Sequence, residues 1–81
     1  METRIAVISM IVENNDTVAE LNSLLHNWGD YIIGRMGIPY KQKGINVISI
    51  VIDATPDIIS SLAGKLGNLP GVSIKTAISN V

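Results

Sequence analysis

The sequence predicts a small α+β sandwich in which the elements run strand, helix, strand, strand, helix, strand. Three observations carry that expectation. Segments 4–12 and 45–53 are β-rich and apolar at both odd and even positions, as strands covered on two faces are. Segments 16–28 and 55–67 instead space their apolar residues along one helical face. Segments 31–39 and 72–78 carry the marks of edge strands, the first through two glycines and a proline, the second through strict alternation.

Taken in order, residues 4–12 read R-I-A-V-I-S-M-I-V, a strand with two apolar faces. Asn14, Asn15 and Asp16 then break the pattern with side chains that suit turns and helix N-caps. Val18, Leu21, Leu24, Leu25 and Trp28 fall on one face of a helix over 16–28, and Gly29-Asp30 closes it. The second strand, 31–39, belongs at an edge, where Pro39 and the glycines Gly34 and Gly37 do least harm. Polar residues 40–44 form a hairpin loop ending in glycine. Residues 45–53, I-N-V-I-S-I-V-I-D, are the strongest strand in the chain. Thr55-Pro56-Asp57 is a helix start with a capping hydroxyl, a proline at the first helical position and an acid in the first turn. Ile58, Ile59, Leu62, Ala63 and Leu66 continue that helix to Gly67. In the last strand Val72, Ile74, Thr76 and Ile78 alternate with Ser73, Lys75 and Ala77.

The two most apolar strands are the first and third. A four-stranded antiparallel sheet in the order 4-1-3-2, with both helices on one face, puts those two in the centre. This is the ferredoxin-like βαββαβ arrangement, and the 81 residues make one domain of it.

A chain this short buries a modest share of its surface and needs extra stabilisation. With no cysteine and one histidine, neither disulfides nor a structural zinc cage supply it. A dense aliphatic core or association with other copies remains. Hydrophobic residues make up 47% of the chain and charged ones 16%, with fourteen isoleucines and no phenylalanine. That is more apolar matter than one small core obviously requires.

The surplus has an expected place. Both helices lie on one side of the sheet, yet the central strands are apolar on both sides. The first strand offers Ile5, Val7 and Ile11 on one face and Ala6, Ile8, Met10 and Val12 on the other. The third offers Val47 and Val51 against Ile48, Ile50 and Ile52. One set is left in water in a monomer, a contiguous patch of the kind that marks an interaction surface. A homo-oligomer, dimer or tetramer, is therefore expected, built on two-fold symmetry.

The net charge of −1 argues against direct nucleic-acid binding, which draws on a basic face. No secretory signal or membrane-length apolar run is visible, so a cytoplasmic protein is expected. No paired carboxylates, Ser–His–Asp grouping or metal-ligand spacing is present, and no catalytic residue, metal or cofactor is expected.

Five residues, Arg35, Gly37, Asn14, Asn15 and His26, are candidate ligand contacts. Arg35, beside Gly34 and Gly37, suits an anion contact or an interface salt bridge, since glycine allows close approach and a guanidinium favours carboxylate or phosphate. The same arginine also serves as an edge-strand guard against wrong pairing. Asn14 and Asn15 precede a helix start, where backbone N–H groups hold anions, but they equally cap that helix. His26 lies off the apolar helical stripe and faces water or a neighbouring subunit. Lys41 and Lys43 form a solvated hairpin tip. Gly64-Lys65-Leu66-Gly67 lacks the spacing of a phosphate loop and sits at a helix end, so it is not one.

Three segments carry a family resemblance: L-L-H-N at 24–27, R-M-G-I-P at 35–39, and G-K-L-G-N-L-P-G-V-S-I-K-T at 64–76. Together they resemble short bacterial proteins described as iron-only hydrogenase system regulators, typified by an ACT-like Thermotoga protein. That family is similar in fold to ACT domains and to the C-terminal domain of the nickel-responsive repressor. The resemblance implies a regulatory role, oligomerisation through sheets or strand edges, and a small-molecule effector or protein partner at a subunit interface. It does not imply nickel binding, because the repressor's site uses several histidines and a cysteine. The repressor's DNA-binding segment has no counterpart in these residues, so transcription regulation would need another protein. The reading from a different class is a cofactor-independent dimeric enzyme with a cavity between facing sheets, lined by His26, Arg35 or a tyrosine.

Overall fold

A computed structural model describes residues 2–80. Its strands are β1 (Arg4–Val12), β2 (Ile32–Tyr40), β3 (Ile45–Ala54) and β4 (Val72–Ile78), and its helices are α1 (Val18–Asn27) and α2 (Pro56–Gly67). The sheet order is β2-β3-β1-β4, the expected 4-1-3-2 read from the opposite edge, and every neighbouring pair is antiparallel. Ferredoxin-like topology follows from the sequence of elements and this order together.

Strand register explains which face each residue takes. Ala6 pairs with Ile52, Ile8 with Ile50 and Met10 with Ile48 across the two central strands. Residues paired across a ladder share a face, and all six are buried. Leu21 and Leu25 of α1 and Ile59, Leu62 and Leu66 of α2 complete the core over them. The helix-covered set is thus Ala6, Ile8, Met10, Val12, Ile48, Ile50 and Ile52, the second of the two alternatives on each strand.

The boundaries differ locally from expectation, for identifiable reasons. The sequence places a helix start at residue 16, but α1 begins at Val18 after a 3-10 turn over Asn15–Thr17. Asn14 caps that turn, its Oδ1 accepting from the Asp16 N–H at 2.9 Å. Thr17 is buried and its hydroxyl donates to the Pro70 carbonyl at 2.7 Å. The start of the helix is thereby tied to the loop before β4. Tyr31, expected at the head of β2, lies in a 3-10 turn over Gly29–Tyr31, its ring centroid 6.0 Å from that of Trp28. The β2–β3 hairpin turns through Lys41–Lys43 and closes on Gly44 at φ 65, a left-handed conformation that glycine adopts without strain. At α2 the expected cap is present, Thr55 Oγ1 accepting from the Ile58 N–H at 3.4 Å with Pro56 at the first helical position. No helix among the described residues is long and apolar enough to cross a membrane.

Candidate functional site

The face of the sheet opposite the helices is the most distinctive surface of the molecule. Register places Val7 beside Val51, Ile11 beside Val47, Ile38 beside Val47 and Met36 beside Ser49 on this side. Ile11 is 46% exposed, Ile38 47%, Met36 54% and Tyr40 42%, so four large side chains keep about half their surface in water. Val7, Val47 and Val51 are half-buried only by their neighbours in the sheet. No helix covers them. The edge strand β2 adds Ile33, 64% exposed at an irregularity in the β2–β3 ladder between Ile32 and Gly34.

Polar groups on this face are few. Ser9 and Ser49 meet across β1 and β3, hydroxyl oxygens 3.4 Å apart, either able to donate to the other. Lys75 pairs with Ser9 on the β4 side. Between β1 and β4 the small side chains of Ser9 and Ser73 leave a hollow of ≈ 390 Å³, walled by Ile11, Val47 and Lys75. A second, smaller notch of ≈ 200 Å³ lies at the hairpin end, between Asn15, Asn46, Pro39 and Tyr40.

The five residues singled out from the sequence are not gathered in one place. Arg35 lies on the helix side of β2, paired with Ile50, and donates from Nη2 to Asn22 Oδ1 of α1 at 3.0 Å. Gly37 is two residues along, paired with Ile48, with open space where a Cβ would stand. His26 is exposed one helical turn beyond Asn22. Asn14 is occupied as a cap, and Asn15 Oδ1 accepts from Asn46 Nδ2 at 3.1 Å beside the second notch. Arg35 and Gly37 therefore share the helix side of β2, with His26 on α1 near Asn22, while Asn15 sits by the hairpin and Asn14 against Gly71. Neither hollow is lined by Arg35 or His26. Among the described residues no three His, Cys, Asp or Glu side chains are grouped to hold a metal ion.

The hollow beside Lys75 is not among the sites the sequence singles out. A signal for it exists: alternation along 72–78 sets Ser73 and Lys75 opposite Val72 and Ile74, and the strand order puts them next to β1. What the sequence lacks is the β1–β4 register, which decides that Lys75 meets Ser9.

The profile of the TM1266-like family, described as "Iron-only hydrogenase system regulator, putative", matches residues 4–76. That span takes in every strand and helix up to the middle of β4. The chain belongs to this family. Among solved structures, the uncharacterized protein TM1266 from Thermotoga maritima superposes with a TM-score of 0.90 at 32% identity. The match covers 95% of this chain and 98% of that one, so the two share a fold over their whole compared length. No protein with a curated description matches the chain. The family name is that of a regulator.

Proposed function

We propose that this chain is a cytoplasmic regulatory protein of the iron-only hydrogenase system. In this reading it works as a symmetric, ACT-like homo-oligomer whose open sheet faces pack together. A small-molecule effector or protein partner then acts on that assembly. The observation that carries the reading is the aliphatic surface of β1, β2 and β3 on the side without helices.

Magnitudes support the docking step. Full burial of a large aliphatic side chain contributes about 1.5–3 kcal/mol, so covering the exposed half of each contributes ~1 kcal/mol. Ile11, Ile38, Met36 and Tyr40, counted on both copies of a two-fold pair, give about 8 kcal/mol. Association costs on the order of 4–15 kcal/mol in lost freedom and ordering. The four exposed residues alone fall within that range, and the half-buried Val7, Val47 and Val51 carry the gain toward its upper part. Ser9 and Ser49 reduce the penalty of drying the centre by bonding to each other. Arg35, positioned by Asn22 beside Gly37, is the contact this reading assigns to a carboxylate on a partner protein.

Native mass spectrometry of protein purified without denaturation tests the reading. A multiple of the 8.7 kDa chain is expected. A single-chain species at micromolar concentration contradicts it.

A further inference from the structure

We infer that the hollow between β1 and β4 binds a short aliphatic monocarboxylate, its carboxylate held by Lys75 and its chain laid against Ile11 and Val47. The inference deepens the docking reading and rests on it in one respect, since a second sheet packed on the open face would roof the hollow.

Size comes first. At ≈ 390 Å³ the hollow falls at the small end of ligand sites, which run from roughly 300 to 1,000 Å³. Its chemistry is lopsided. Ile11 and Val47 present hydrocarbon and nearly all of the exposed lining is apolar, with Ser9, Ser73 and Lys75 contributing only a little polar surface. Lys75 is the one charged side chain in the lining, and its cross-strand neighbour is Ser9 rather than an acid. Across the ladder, therefore, no counter-ion faces the ammonium. An anion with an apolar body supplies what the hollow lacks at both ends: a carboxylate for Lys75, and a chain that dries Ile11 and Val47.

The same lining sets a selectivity. No lining residue carries negative charge, so the α-ammonium of an amino acid finds no partner there. A plain fatty acid of about six carbons is preferred to the amino acid of the same skeleton.

The test is a nitrogen–proton correlation NMR titration of the intact protein with hexanoate, hexan-1-ol and norleucine. Sedimentation velocity is run on the same samples. Saturable shifts at the Ser9, Ile11, Ser73 and Lys75 amides are expected with hexanoate. Hexan-1-ol binds about fivefold more weakly, the factor that ~1 kcal/mol of a partly exposed charge pair represents, and norleucine binds more weakly than hexanoate because its α-ammonium is left unpartnered. Lys75→Met weakens hexanoate by a similar factor, and Lys75→Arg retains it. Equal binding of hexanoate and hexan-1-ol, or shifts that survive Lys75→Met unchanged, overturn the inference. An oligomer in which hexanoate produces no shift at Ser9 or Ser73 overturns it too, because the partner's side chains then fill the hollow, and the docking reading stands. A monomer with Lys75-dependent binding supports the site and overturns the docking reading alone.

Discussion

Ser9 and Ser49 face each other across the two central strands, their hydroxyl oxygens 3.4 Å apart in a largely aliphatic surface that also carries Ser73 and Lys75 of β4. A lone hydroxyl at the centre of a dry interface costs about 1–3 kcal/mol, whereas a pair in which one hydroxyl donates to the other leaves a single donor unsatisfied. Removing both hydroxyls together relieves even that remainder. The double variant Ser9→Val/Ser49→Val is expected to fold as the parent does and to associate several-fold more tightly in sedimentation equilibrium. Looser association would mean that this part of the face stays wet.

The link between the two loop ends at one edge of the sandwich gives a second expectation. Thr17 is buried, and its hydroxyl reaches the Pro70 carbonyl at 2.7 Å, far away in sequence. Thr17→Val keeps the shape and deletes the donor, and should lower stability by about 1–2 kcal/mol in urea unfolding. No change would mean that water replaces the hydroxyl without cost.

Gly71 and Gly44 separate two reasons for a glycine. Both have positive φ, 72 and 65 respectively. A Cβ on Gly71 would stand 2.8 Å from Asn14 Cβ and 3.0 Å from its backbone nitrogen, whereas one on Gly44 would meet nothing within 4 Å. Gly44→Ala should cost about 1–2 kcal/mol for the left-handed backbone. Gly71→Ala should cost about 1 kcal/mol more than that, since Asn14 must move. Equal losses in thermal unfolding would show that the β1 exit loop yields freely.

Arg35 is exposed, and its bond to Asn22 is the contact most easily lost. Arg35→Ala should change the stability of the isolated chain by less than about 1 kcal/mol. A larger loss would reassign Arg35 from a partner contact to a structural tie between β2 and α1.

Much of this molecule is legible in its residues. The doubly apolar runs 4–12 and 45–53 read as central strands because period-2 alternation fails there, and they are central. Thr55-Pro56 marks the start of α2 to the residue, because capping is a local interaction. Sequence and structure part where distant groups intervene. Thr17 is drawn into a 3-10 turn by a bond to Pro70, which no window around residue 17 contains. Tyr31 leaves β2 for a turn beside Trp28. The open face is legible in outline, since parity alone separates Ile5, Val7, Ile11, Val47 and Val51 from the core set. The hollow beside Lys75 is not, since its shape depends on the register between the first and last strands.

The most direct measurement is sedimentation velocity of the parent and of Val51→Asp over a dilution series from about 100 down to about 1 micromolar, a range that brackets micromolar affinity. Val51 lies between Val7 and Gly34 on the open face, clear of the residues that line the hollow. An oligomeric parent is expected, together with a folded, monomeric variant, because an unpaired carboxylate in a dry interface costs several kcal/mol. A monomeric parent across the series, or a Val51→Asp variant that assembles as the parent does, would contradict the account.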